Sequence, residues 1–104
     1  MNPPLPNPQP QSLAGRVILI TGATAGIGRS IALGMAQLGA TTLLLGRDVK
    51  ALEALYDTII ELGYPEPGLI PFDLAAYNAQ RLDELKAVIA EQYGELHGLI
   101  HNAA

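Results

Sequence analysis

The run Thr21-Gly-Ala-Thr-Ala-Gly-Ile-Gly28 has the residue types and spacing to bind a phosphate ester through backbone alone. Such binding needs free N–H groups and the positive end of aligned peptide dipoles, and a helix N-terminus supplies both. The run follows a short apolar stretch and precedes a helical pattern, so it is predicted to lead into such an N-terminus. Gly22 permits a sharp turn out of a strand. Gly26 removes a side chain where a pyrophosphate must approach, and Gly28 lets the helix pack closely on the strand. Thr24, Ala25 and Ile27 share this loop and are expected to line the same nucleotide.

Other chemistries find little support. There is no cysteine, which excludes disulfides and thiolate metal sites, and His97 and His101 are too few for a histidine metal cluster. The net charge is −4 and the basic residues Arg16, Arg29, Arg47, Lys50, Arg81 and Lys86 are scattered, so no nucleic-acid surface is expected. No apolar stretch approaches the ~20 residues that cross a bilayer. A soluble, cytoplasmic protein is the expectation. Residues 1–12 contain Pro3, Pro4, Pro6, Pro8 and Pro10 without basic residues, and read as a disordered, extended tail rather than a signal peptide.

The elements that must position the loop follow from apolar periodicity. Arg16–Thr21 is a nearly continuous apolar run, suited to a strand buried on both faces. Residues 27–38 place Ile27, Ile31, Met35 and Leu38 on one helical stripe, ended by Gly39. Thr41–Leu45 forms a second strand. Asp48 is a candidate N-cap for a helix with Leu52, Leu55, Ile59 and Leu62 inward and Gly63 after it. A loop over 64–68 leads to a third strand, Leu69–Phe72, whose Pro71 suggests an edge. A helix over 79–93 points Leu82, Leu85, Ile89 and Tyr93 inward and stops at Gly94. Leu96–His101 is a fourth strand.

The order β-α-β-α-β-α-β implies right-handed crossovers and a parallel sheet. The predicted class is α/β, a partial doubly wound Rossmann-type sheet of four strands in order 3-2-1-4 with three helices. Its ligand crevice lies beyond the carboxyl ends of the first and fourth strands, where the glycine loop and Asn102-Ala-Ala104 fall.

The spacing Gly-x-x-x-Gly-x-Gly after Thr21 resembles the single-domain short-chain dehydrogenase/reductase family. Gly46-Arg47 at the end of the second strand, Asp73-Leu74 at the end of the third and His101-Asn-Ala-Ala104 at the end of the fourth extend the resemblance over residues 13–104. His101 is similar to a bacterial subgroup with His at that place and reads as structural. The resemblance implies that Asp73 accepts from the adenine amino group beside the Leu74 backbone. It also implies that Asn102 ties the fourth strand to its neighbour, and that the Ala103 and Ala104 backbone passes under the cofactor. Members using NAD carry an acid where this chain has Gly46. An arginine such as Arg47 can pair with the extra phosphate of NADP, so NADP(H) is expected and NAD(H) is disfavoured. The neighbouring Asp48 could partly neutralise Arg47.

The family's hydride transfer uses a Tyr with a Lys four residues later, plus a Ser. Tyr56, Tyr64, Tyr77 and Tyr93 all lack that Lys, so no catalytic and no metal residue is assigned. The chain is therefore expected to be the N-terminal, cofactor-binding portion of a carbonyl/alcohol oxidoreductase, inactive alone and homo-oligomeric in its complete form. The alternatives are a non-catalytic nucleotide-binding fragment and a partner-binding piece using an open sheet edge.

Overall fold

The computed structural model describes residues 12–24, 26–71 and 79–102. Its elements are β1 (Val17–Thr21), α1 (Gly26–Gln37), β2 (Thr41–Gly46), α2 (Val49–Glu61), β3 (Gly68–Pro71), α3 (Ala79–Tyr93) and β4 (Gly98–His101). All pairings are parallel and the strands lie in the order β3-β2-β1-β4, as the sequence predicts. Pro71 does fall on the outer strand, where prolines are tolerated.

β1 and β2 are central and buried on both faces, which explains their unbroken apolar character. One face carries Ile18, Ile20 and Leu44 against α1 and α2. The other carries Val17, Leu19, Leu43 and Leu45 against Ile89 of α3, with Leu85 and Leu96 at its margin. In α2, Leu52, Leu55 and Ile59 are fully enclosed, each contributing ~1.5–3 kcal/mol of burial. Asp48 caps this helix as expected, its Oδ1 accepting from the Ala51 N–H at 3.1 Å. Gly39, Gly63 and Gly94 follow the three helices with positive φ.

Three sequence expectations need correcting. Ile27 is not part of the core stripe of α1 but 72% exposed. The buried face of α1 is Gly28, Ala32 and Ala36, one helical turn apart, while Ile31 and Met35 flank it half-buried. Small residues at this spacing let α1 lie close on the sheet, and the large apolar residues fill the sides. Leu62 is also exposed, because the helix has ended by that residue. Tyr93 is exposed at its ring margin, although its hydroxyl rests against the backbone of Gly68. Phe72 and the Leu82 side chain lie outside the described residues, as do residues 1–11 of the predicted tail.

β4 begins at Gly98, two residues later than predicted, because His97 extends the pairing by other means. Its N–H donates to the Val17 carbonyl at 2.8 Å, and its ring Nδ1 accepts from the Val17 N–H at 2.9 Å. An accepting Nδ1 carries no proton, so the neutral ring has its N–H at Nε2, 3.5 Å from Glu95 Oε2.

Thr42, fully buried in β2, has no hydrogen-bond partner for its hydroxyl among the described residues. A buried unpaired hydroxyl costs about 1–3 kcal/mol, and a methyl group of similar shape removes that cost. Thr42→Val should therefore raise unfolding free energy by about 1 kcal/mol in a denaturant titration. Tyr56 joins α2 to the loop before β3, its hydroxyl donating to Glu66 Oε1 at 2.8 Å. That bond first, then partial shielding and the charges of Glu66 and Asp57, raise the phenol above its ordinary 10.0. The neutral phenol is the donor, so the tie holds at neutral pH and is lost as pH rises through the raised value. Glu66→Gln should bring the phenolate absorbance midpoint of Tyr56 back down, with Tyr56→Phe identifying the signal.

Candidate dinucleotide-binding site

The strand order reverses between β1 and β4, and their carboxyl ends meet there. Thr21, the last residue of β1, is 4% exposed, and its Oγ1 accepts from the Asn102 N–H at 3.0 Å. The same hydroxyl lies 3.1 Å from His101 Nδ1 and 3.5 Å from the Ile100 carbonyl. Asn102 Nδ2 then donates to the Gly22 carbonyl at 3.1 Å. Asn102 thus binds the ends of the two strands together, the positioning role its resemblance implied. Thr21 is a residue that sequence reasoning left out of the site, although its place before the glycine run was the available signal. His101 sits within this network as a hydrogen-bonding neighbour of Thr21.

The loop turns sharply after Thr21. Gly22 has φ +62°, and a Cβ there would collide with the Asn102 carbonyl. A Cβ on Gly28 would collide with the Gly22 carbonyl and stand 2.7 Å from Asn102 Nδ2. The first turn of α1 therefore lies directly on the turn that leaves β1. Gly26 differs: its φ is +58°, and its Cβ position meets no atom of the described residues within 4 Å. That glycine faces open space, as an approaching ligand requires.

The first N–H groups of α1 have no acceptor within the helix, and its first turn contains no acid. Arg29 is exposed in that turn, so the local field favours an anion. The open glycine, the N–H groups without a partner in the helix and the absence of acid fit a pyrophosphate.

Gly46 and Arg47 end β2 on the same edge of the sheet. Thr24 reaches across to Gly46, its Cγ2 being 3.1 Å from where a Cβ would stand. Arg47 is exposed and makes no ion pair among the described residues. Asp48, which could have paired with Arg47, instead caps its own helix and makes no ion pair with Arg47 among the described residues. Ala25, Asp73, Leu74, Ala103 and Ala104 lie outside the described residues. No group of His, Asp and Glu suited to a metal occurs among the described residues, and none of their helices is long and apolar enough to cross a membrane.

A four-stranded parallel sheet with a glycine-lined helix start at its switch point defines the Rossmann-type α/β class. The profile described as short chain dehydrogenase matches residues 16–104, and the chain belongs to that family. It is 38% identical over 96 residues to the uncharacterized oxidoreductase YciK of Escherichia coli K12, covering 92% of this chain and 38% of that protein. A solved Pseudomonas syringae structure superposes with a TM-score of 0.87 at 42% identity, covering 94% of this chain and 40% of that one. A Shigella flexneri 2a structure complexed with NADP superposes at 0.84 with 36% identity, covering 91% and 40%. The chain thus spans about 40% of the length of these relatives.

The two glycine environments separate in mutagenesis. Gly28→Ala forces a methyl group into backbone and should lower unfolding free energy by about 2–3 kcal/mol. Gly26→Ala meets only the left-handed backbone penalty, about 1–2 kcal/mol. Denaturant titrations of both variants should rank them in that order.

Proposed function

We propose that this chain is the NADP(H)-binding part of an oxidoreductase that moves hydride between nicotinamide and a carbonyl or alcohol substrate. The α1 start, with Gly22, Gly26, Ile27 and Gly28 and their neighbours Thr24 and Ala25, receives the pyrophosphate. Asn102 holds β4 against β1 beneath the ribose. Asp73 and Leu74 at the adenine edge, and Ala103 and Ala104 below the cofactor, are assigned by family resemblance alone. The bound nicotinamide would supply the hydride donor or acceptor. No tyrosine in the chain has a lysine four residues later, so these residues bind and orient and are given no proton-transfer role.

The observation that carries the choice of NADP is the Gly46–Arg47 corner. A carboxylate at position 46 would accept hydrogen bonds from the ribose hydroxyls and repel a phosphate there, and this chain has no side chain at that place. The adjacent guanidinium is exposed, with no ion pair among the described residues. A planar cation of this kind pairs with a phosphate through two parallel N–H donors. The relative solved with NADP supports the same reading.

A charge-assisted contact contributes about 1.5–3 kcal/mol, or roughly tenfold to a hundredfold in affinity. Arg47→Ala should weaken NADP(H) binding by that factor and leave NAD(H) binding nearly unchanged, measured by calorimetric titration of both cofactors. Equal losses for the two would remove Arg47 from the phosphate site.

A further inference from the structure

Gly46, like Gly28, is a glycine of this crevice that its backbone angles do not explain. Its φ is not positive, unlike those of Gly22 and Gly26, so the backbone there does not demand glycine. In ordinary strand conformation a glycine is the weaker choice by roughly 0.5–1 kcal/mol. The reason for its small size lies in its neighbours. A Cβ at this position would stand 3.1 Å from Thr24 Cγ2, 3.6 Å from Leu52 Cδ2 and 4.0 Å from Thr24 Oγ1. Leu52, on α2, is fully buried in the core and lies at ordinary van der Waals distance from that Cβ position. Thr24 is β-branched, which restricts its χ1, and its Cγ2 faces position 46. The approach to Thr24 Cγ2 is therefore the tight one, while those to Leu52 and to Thr24 Oγ1 are ordinary van der Waals separations.

We propose that Thr24 is a specificity-determining residue that acts through Gly46: its γ-methyl occupies the room a side chain at position 46 needs. Cofactor choice is then held by a pair, one residue in the glycine loop and one at the end of β2. An acid cannot enter position 46 without displacing the loop residue that flanks the pyrophosphate site. A single substitution toward an NAD-type corner should thus disturb the loop before it improves the ribose contact. This inference rests on the proposed NADP(H) reading for its consequence, but its steric half exists in the protein without any cofactor.

The test is a double-mutant cycle on the protein. Gly46→Ala serves as a purely steric probe and Gly46→Asp as the functional one, each made with Thr24 present and in a Thr24→Ala background. In the cofactor-free protein, Gly46→Ala should lower Tm by about 5 °C beside Thr24, and by less than about half of that beside alanine. Equal drops in both backgrounds, or no drop beside Thr24, would overturn the steric coupling. Gly46→Asp should bind NAD(H) roughly tenfold tighter in the Thr24→Ala background than beside Thr24. Equal NAD(H) affinity in the two backgrounds would overturn the specificity role. If the unsubstituted protein binds no dinucleotide, the cofactor reading and the specificity role both fail, while the cofactor-free cycle still decides the packing claim.

Discussion

At Gly28, the start of α1 lies so close to the turn after β1 that no side chain fits between them. The Gly22 carbonyl and the Asn102 side-chain amide occupy the space that a Cβ would take. Much of the site depends on this approach. It brings the unsatisfied N–H groups of α1 to the carboxyl edge of the sheet. It also leaves the Gly22 carbonyl where Asn102 can donate to it, so that the same carbonyl sets the spacing of β1, α1 and β4. The helix dipole then points into the crevice from a fixed origin.

The remaining order serves that geometry. Ala32 and Ala36 continue the small face of α1 down the sheet, so the helix stays close along its length. Large side chains from α2 fill the volume beside it, and Ile89 of α3 closes the opposite face. β1 and β4 are tied at both ends, by His97 at the entry and by Thr21 with Asn102 at the exit. Parallel ladders have slanted bonds and somewhat less stability per residue, so side-chain ties at the strand ends add register where the ligand edge needs it.

The glycine-rich corner combines two physical logics that the letters alone do not distinguish. Gly22 and Gly26 have backbone angles that L side chains avoid, whereas Gly28 and Gly46 have ordinary angles, Gly28 facing backbone that excludes a Cβ and Gly46 one tight neighbour, the Thr24 γ-methyl. A positive φ penalises any side chain, but a crowded Cβ position is relieved when the neighbour shrinks. That difference ties Gly46 to Thr24. It also leaves Arg47 beside a position where no competing carboxylate stands.

Much of this was readable in the chain itself. Continuous apolar runs indicate strands buried on both faces, helical stripes bounded by Asp48 and by Gly39, Gly63 and Gly94 indicate the helices, and their alternation indicates a parallel sheet whose order follows from the dinucleotide-type glycine loop. These signals are local, because burial pattern and capping act within a few residues. The exposure of Ile27 was not legible, since its spacing matches the stripe of α1 and only the proximity of the sheet favours the smaller face. The sequence by itself determined that a helix N-terminus meets a glycine loop at the end of a strand. Only the tertiary structure decided which glycines yield to backbone strain and which to crowding, because the atoms that crowd Gly28 and Gly46 come from distant parts of the chain.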